Sequence, residues 1–481
     1  MTDLESLEPK LLWRYFLGLS AIPRGSRNEA AAARWAAEQG RALSCAVEED
    51  AVGNVLIRKP ASPGREGRPG VALQAHVDMV CEKNEGTFHD FQKDPIQVVR
   101  VGDELRAQGT TLGADNGVGV AAALAVLGTP GLVHPPLEVL LTIDEETGLT
   151  GAKAVRPGWL RAARLLNLDS EEEGELTIGC AGGQDSVLSR RIARTAAAPG
   201  RRALRLRVSG LRGGHSGIDI AAGRGNALRV LAQVLQAASA SHDLQLVSVS
   251  GGNKRNAIPR EASAVVLVDP AREAALAAEV SRLGRDWKAA LGALDPGLTV
   301  ALEAAPAGEP LAPADARAVL GLLLAAPHGV EAMTPELAGL VQTSTNLASA
   351  ETREGAVEVT FLTRSSLDAS KAALSDRIGA VGTLAGFEAR HSGSYPGWKP
   401  EPGAAVVTLV DGVHRALFGK PMIVKAIHAG LECGLIGEKY PGLEMASIGP
   451  SMWDVHTPEE RVSIPSVGNF WRLLVEVLAQ A

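Results

Sequence analysis

The chain has 481 residues, more than one hydrophobic core usually supports, so two or more domains are expected. A hydrophobic fraction of 46% speaks against disorder, and a formal net charge of -7 leaves no basic footprint for nucleic acid. Cys45, Cys81, Cys180 and Cys433 lack CxxC spacing and fit a reducing cytoplasm, while an acidic N-terminus and the lack of any run near the ~18 apolar residues of a membrane span speak against secretion and insertion.

Residues 9–40 read as amphipathic helices around Ile22-Pro23-Arg24-Gly25, and 54–58 as a strand before a Pro/Gly/Arg loop at 60–70. Residues 71–75, 137–143 and 163–168 are short, mostly apolar runs of the kind found in buried parallel strands. Each ends in acidic or imidazole residues: His76 with Asp78, Glu145 with Glu146, and Asp169. Sites in open α/β sheets lie beyond the carboxyl ends of the strands, so one rim is expected to gather them. Gly113-Ala114-Asp115-Asn116-Gly117 leads into an apolar helix over 118–127, which puts Asp115 near a helix N-terminus. Taken alone, Asp115 reads as a plain N-cap.

After about residue 185 the texture changes. Arginines crowd 190–207 beside an Ala/Pro/Gly linker, and 203–208 alternate apolar and basic like a strand with one wet face. Strand-like runs at 244–249, 262–268, 298–301 and 357–362 then alternate with Ala/Leu-rich helices at 222–239, 270–292, 313–326 and 369–385, which suggests two β-α-β-rich halves. From about 400 the chain returns to alternating helix and strand and brings in Asp454-Val455-His456. The expected fold is α/β: a discontinuous domain over 1–185 and 396–481, with a mixed, mainly parallel sheet flanked by helices, and an inserted α+β domain over 186–395.

Two imidazoles and three carboxylates make a ligand set suited to borderline divalent ions such as Zn²⁺, Co²⁺ or Mn²⁺. Two such ions, three carboxylates and one bridging hydroxide sum to zero charge, so the site is buriable. His76 and Asp78, at i and i+2 of a strand end, point the same way, so His76 can coordinate while Asp78 accepts its second N–H. In Asp144-Glu145-Glu146 the neighbouring carboxylates diverge at a turn, leaving one to ligate and the other to act as general base. Glu171, Glu172 and Glu173, just past Asp169, read as surface charge.

The order His-x-Asp, Gly-Ala-Asp-Asn-Gly, Asp-Glu-Glu-x-Gly, Asp-Ser and a late His resembles the M20 metallopeptidases over nearly the full length. Residues 73–83, 166–171 and 427–434 resemble the aminoacyl-histidine dipeptidases of that family. The resemblance implies that His76 and Asp169 bind one metal, Glu146 and His456 the other, and that Asp115 bridges them through a cis peptide to Asn116. It makes Asp78 the support of His76 and Glu145 the general base for a bridging hydroxide. Gly213-Gly214-His215-Ser216-Gly217 resembles the family's lid signature, whose His donates to the scissile carbonyl. Asn256 and Arg364 match substrate-holding positions, and His428 belongs to a further motif. The implied protein is a cytoplasmic homodimer with two divalent ions, zinc first, acting on small peptides of the Xaa-His kind. Trp453 and Asp454, just before His456, depart from the family pattern. Other amidohydrolases of the family, an aminoacylase, a tripeptidase or a carboxypeptidase, remain open, as does a non-catalytic relative.

Overall fold

The computed structural model describes residues 3–481. The chain divides into two compact units, one of Met1–Gly179, Trp398–Ala426 and Leu431–Ala481, the other of Cys180–Gly397 and Ile427–Gly430. Among the described residues no helix is long and apolar enough to cross a membrane.

The first unit is built on an eight-stranded mixed sheet. Its four central strands, in the order Leu137–Thr142, Val71–His76, Arg164–Asn167 and Glu444–Ser447, are parallel. Antiparallel strands flank them: Val55–Lys59 on one side and Glu175–Cys180 on the other. Val71–His76 and Leu137–Thr142 are buried at every position, which is why they read as continuous apolar runs. The helix Ala114–Gly128 packs on Val71–His76 and on the helix Lys10–Ser20. Its approach requires Gly119, where a Cβ would lie 2.6 Å from the Leu168 carbonyl oxygen. A separate antiparallel sheet joins Val98–Val101, Glu104–Ala107, Arg461–Ser463 and Met452–Trp453, and the hairpin between its last two strands carries His456.

The second unit corrects the expectation of two β-α-β-rich halves. It holds a single nine-stranded sheet in which every recorded pairing is antiparallel. Four helices, Ala227–Ser241, Glu273–Leu291, Pro313–Ala325 and Asp368–Leu384, contribute to its main apolar core. The longest strand, Val341–Arg353, escapes a reading by hydrophobic period because it buries Thr343, Ser344, Thr345 and Asn346. Those hydroxyls and the amide nitrogen are bonded inside the unit, for example Thr343 with Ser365 at 2.8 Å and Asn346 Nδ2 donating to the Ala257 carbonyl at 2.8 Å, while Asn346 Oδ1 is buried without a partner.

Candidate metal centre

Five ligand-type side chains meet beyond the carboxyl ends of the parallel strands. His76 ends its strand with the ring 1% exposed, its Nε2 3.2 Å from Asp115 Oδ1 and 3.3 Å from Asp169 Oδ1. His456 approaches from the other side, its Nε2 3.1 Å from both Asp115 Oδ2 and Glu146 Oε2. Asp115 therefore presents one oxygen to each imidazole. Ligand atoms of His76, Asp115 and Glu146 all lie within 4.8 Å of one another. Glu146 Oε1 and Asp169 Oδ1 are buried without a hydrogen-bond partner, an arrangement that calls for cations.

The local backbone explains how each group is aimed. Gly113 takes a left-handed conformation (φ 70°), and Asp115 and Asn116 are non-helical, so the regular helix begins only after them. Asp115 is thus no N-cap, and the Asp115–Asn116 peptide is cis. Asn116 donates to the Leu168 carbonyl (2.7 Å) and accepts from the His76 amide (3.3 Å), tying the strand ends that carry His76 and Asp169. After Leu137–Thr142, Asp144 is left-handed (φ 50°) and accepts from Thr147 and Thr150, which turns Glu145 and Glu146 toward the cluster. Asp78 fixes two ligand segments together: its Oδ1 lies 3.3 Å from His76 Nδ1, and its carboxylate accepts the amides of Glu145 (3.1 Å) and Glu146 (3.3 Å) and the Ser26 hydroxyl (2.7 Å). The Trp453-Asp454 departure also has a structural account. Asp454 and His456 both have positive φ, and Arg461 pairs with Asp454 and lies over the Trp453 ring, bracing the hairpin.

The electrostatics are those of too many anions around too few cations. Burial works against a charged His76, yet Asp169, Asp115 and Asp78 push its ring well above the ordinary value. Hydrogen bonds that its ring donates to Asp115 and Glu146 raise His456 to about 11. Burial raises Asp169 to about 7 and pushes Glu145 well above the carboxylate range. Asp78, despite burial, is held at about 2 by His76 and Ser26. Divalent ions would take the place of the protons these groups retain.

One layer below the ligands lies a buried polar belt. Gln74 donates to Thr142 (3.1 Å) and to Glu432, and accepts from Asn167 (2.6 Å), which accepts in turn from Ser447. Gln74 and Asn167 stand two residues before His76 and Asp169, on the same strand faces. Burial raises Glu432 to about 7. Sequence reasoning gave this belt no role, nor Arg24, Ser26 and Glu460, which lie behind the ligands. Glu171 is exposed, as expected of surface charge, yet burial of its carboxyl and the charges of Asp115 and Glu146 raise it to about 7.

The other four expected residues belong to the second unit. His215 lies on the short strand Gly214–His215 paired with Ala257–Ile258; its Nδ1 accepts the Gly217 (3.2 Å) and Ile218 (3.1 Å) amides, and its Nε2 lies 3.5 Å from Arg364. Arg364 is 5% exposed, reaches Tyr395 Oη at 3.2 Å and leaves its Nε without a partner. His428 bonds Ser344 at 2.7 Å, and burial lowers its ring to about 3. Asn256 is exposed, and its carbonyl accepts the Ser216 amide (2.8 Å). His215, Arg364 and His428 thus share one polar cluster, with Asn256 on the loop beside it.

Residues 72–480 match the family model described as Peptidase family M20/M25/M40. The chain is 42% identical to the cytosol non-specific dipeptidase of Escherichia coli (strain K12), over 100% of this chain and 99% of that protein. A crystal structure of aminoacylhistidine dipeptidase from Vibrio alginolyticus is 41% identical, with a TM-score of 0.94 over 100% of this chain and 98% of that one. An aminopeptidase structure from Bacillus cereus, 16% identical with a TM-score of 0.56 over 98% of this chain and 99% of that one, shares the fold.

Proposed function

The chain belongs to peptidase family M20/M25/M40, and from that premise we propose that it is a metal-dependent dipeptidase acting on Xaa-His and related dipeptides. The observation that carries the metal part is the Asp115 carboxylate, with one oxygen 3.2 Å from His76 and the other 3.1 Å from His456. His76 and Asp169 would hold one divalent ion, Glu146 and His456 the other, and Asp115 both. Zinc suits this mixed imidazole and carboxylate set, as do cobalt and manganese. The dipeptide part rests on the full-length likeness to two proteins named dipeptidases.

Bound there, two divalent ions would acidify a water and polarise the scissile carbonyl. The chain's own groups do the rest. Glu145, with no side-chain hydrogen bond of its own among the described residues and a proton affinity raised by burial, takes the proton of the attacking water and delivers it to the leaving amine. Asp78 orients His76 and holds the amides of Glu145 and Glu146, so base and ligands keep one register. In the second unit, His215 would donate to the carbonyl oxygen as charge develops, and the unpaired Nε edge of Arg364 suits a peptide carboxylate, with Asn256 and His428 completing the substrate contacts. This unit would act as lid and dimerisation domain of a cytoplasmic homodimer, a location supported by the likeness to a protein named a cytosol dipeptidase.

A panel of β-Ala-His, Gly-His and Leu-Gly, with a tripeptide and an N-acetyl amino acid as competitors for the assignment, tests the reading. Hydrolysis of the dipeptides, lost on chelation and restored by Zn²⁺, Co²⁺ or Mn²⁺, is expected. Cleavage confined to the N-acetyl compound or the tripeptide would overturn it.

A further inference from the structure

Two buried charges outside the ligand set tie the ligand-bearing segments to one another. Arg24, 1% exposed, donates from Nη1 to the carbonyls of Val77 (3.0 Å) and Asp78 (2.9 Å) and from Nη2 to that of Gly113. Glu460, 2% exposed, accepts the amides of Leu112 (2.8 Å) and Gly113 (3.0 Å) on Oε2 and those of Ala114 (2.8 Å) and Asp115 (3.3 Å) on Oε1. Both grip the loop that presents Asp115, one by a carbonyl and the other by its amides. The loop is shaped for them: a Cβ at Gly117 would lie 2.7 Å from Arg24 Nη2.

Each grip joins two ligand segments. Arg24 fixes the Asp115 loop to the strand end bearing His76 and Asp78. Glu460 closes the hairpin that carries His456, four residues earlier, and so fixes that hairpin to the same loop. Neither charge is placed among the ligand atoms; they hold backbone. A carboxylate is the group for the second task, because four converging amides need two oxygens and no donor.

We propose that Arg24 and Glu460 are positioning residues that set the spacing between the two metal subsites, Glu460 governing the subsite of Glu146 and His456 and Arg24 that of His76. The proposal rests on the dinuclear reading given above. In Glu460→Gln one amide nitrogen would face backbone N–H groups, so the loop and the His456 hairpin would part, and the affinity of one ion would fall before that of the other.

The test is metal titration of the full chain against a chelating indicator, with melting curves to verify folding and the visible spectrum of the Co²⁺-loaded protein. Wild type is expected to bind two ions. Glu460→Gln should bind one as wild type does and the second about 10- to 100-fold more weakly, with a changed Co²⁺ spectrum for that ion alone. Glu459→Gln, an exposed neighbour 3.7 Å from Arg106, should behave as wild type. Arg24→Lys, which keeps the charge but loses the planar fork, serves as the second variant should Glu460→Gln fail to fold, and should weaken the ion at His76. Folded variants with two wild-type affinities and an unchanged spectrum would overturn the brace. A wild type that binds a single ion would overturn the dinuclear reading itself, and that failure appears before any variant is compared.

Discussion

Glu145 and Glu146 carry the same side chain at adjacent positions, and only their surroundings separate them. Glu146 faces His456 at 3.1 Å with its other oxygen buried and unpaired, whereas Glu145 has no side-chain hydrogen-bond partner among the described residues. Glu145→Gln is therefore expected to retain wild-type metal content while turnover falls about 10²-fold or more, the scale for losing a general base; normal turnover would make Glu145 a bystander. Glu146→Gln should lose metal first, as read by bound metal after dialysis. A third substitution, His215→Ala, should leave metal content intact and lower kcat by about 10²–10³, the loss typical of one oxyanion donor. Wild-type kcat on the best dipeptide would reduce its loop to a tight turn. Glu145 and Glu146 were legible in the sequence as candidates because charged groups ending an apolar run stand out, and His215 only through the resemblance of its Gly-rich motif. Arg24 and Glu460 were not, since they bond backbone atoms as far as 89 and 348 residues away, and no residue type marks such a partner.

At the scale of elements, three of the parallel strands and five strands of the second unit's sheet could be read, but not that sheet's antiparallel order or its longest strand. Leu137–Thr142 and Val71–His76 are buried on both faces and apolar throughout apart from Glu138, Gln74 and their ends, while Val341–Arg353 hides four polar side chains in succession. One consequence of burial in the second unit is measurable. His328 accepts the Leu347 amide and the Asn226 side chain at 3.3 Å each, and burial, then Arg229, lowers its ring from 6.5 to about 4. The unfolded chain takes up this proton first as pH falls. The contribution is thus fully present above about pH 6.5 and is lost toward pH 4, at most about 3 kcal/mol and less for a partly exposed ring. Melting curves of His328→Asn should be flatter than wild type across that window, and parallel slopes would contradict the assignment. Backbone packing sets a second limit: a Cβ at Gly449 would run into the Ser170 carbonyl, so Gly449→Ala should cost about 1–3 kcal/mol in denaturant unfolding.

For the whole molecule, the chain leaves the first compact unit at Cys180 and returns to it at Trp398, and it rejoins that unit's sheet with Ile423–Ile427. The first unit gathers residues as distant in sequence as His76 and His456, which only the full-length order of motifs could connect beforehand. The proposed homodimer is checked by sedimentation velocity, where a species of twice the 50.0 kDa chain is expected and a concentration-independent monomer would refute it. The claim on which the rest depends is a pair of divalent ions sharing Asp115. Anomalous diffraction from crystals of the zinc-loaded protein tests it most directly: two peaks are predicted, one beside His76 and Asp169 and one beside Glu146 and His456, with an Asp115 oxygen on each. A single peak, or peaks away from Asp115, would contradict the account.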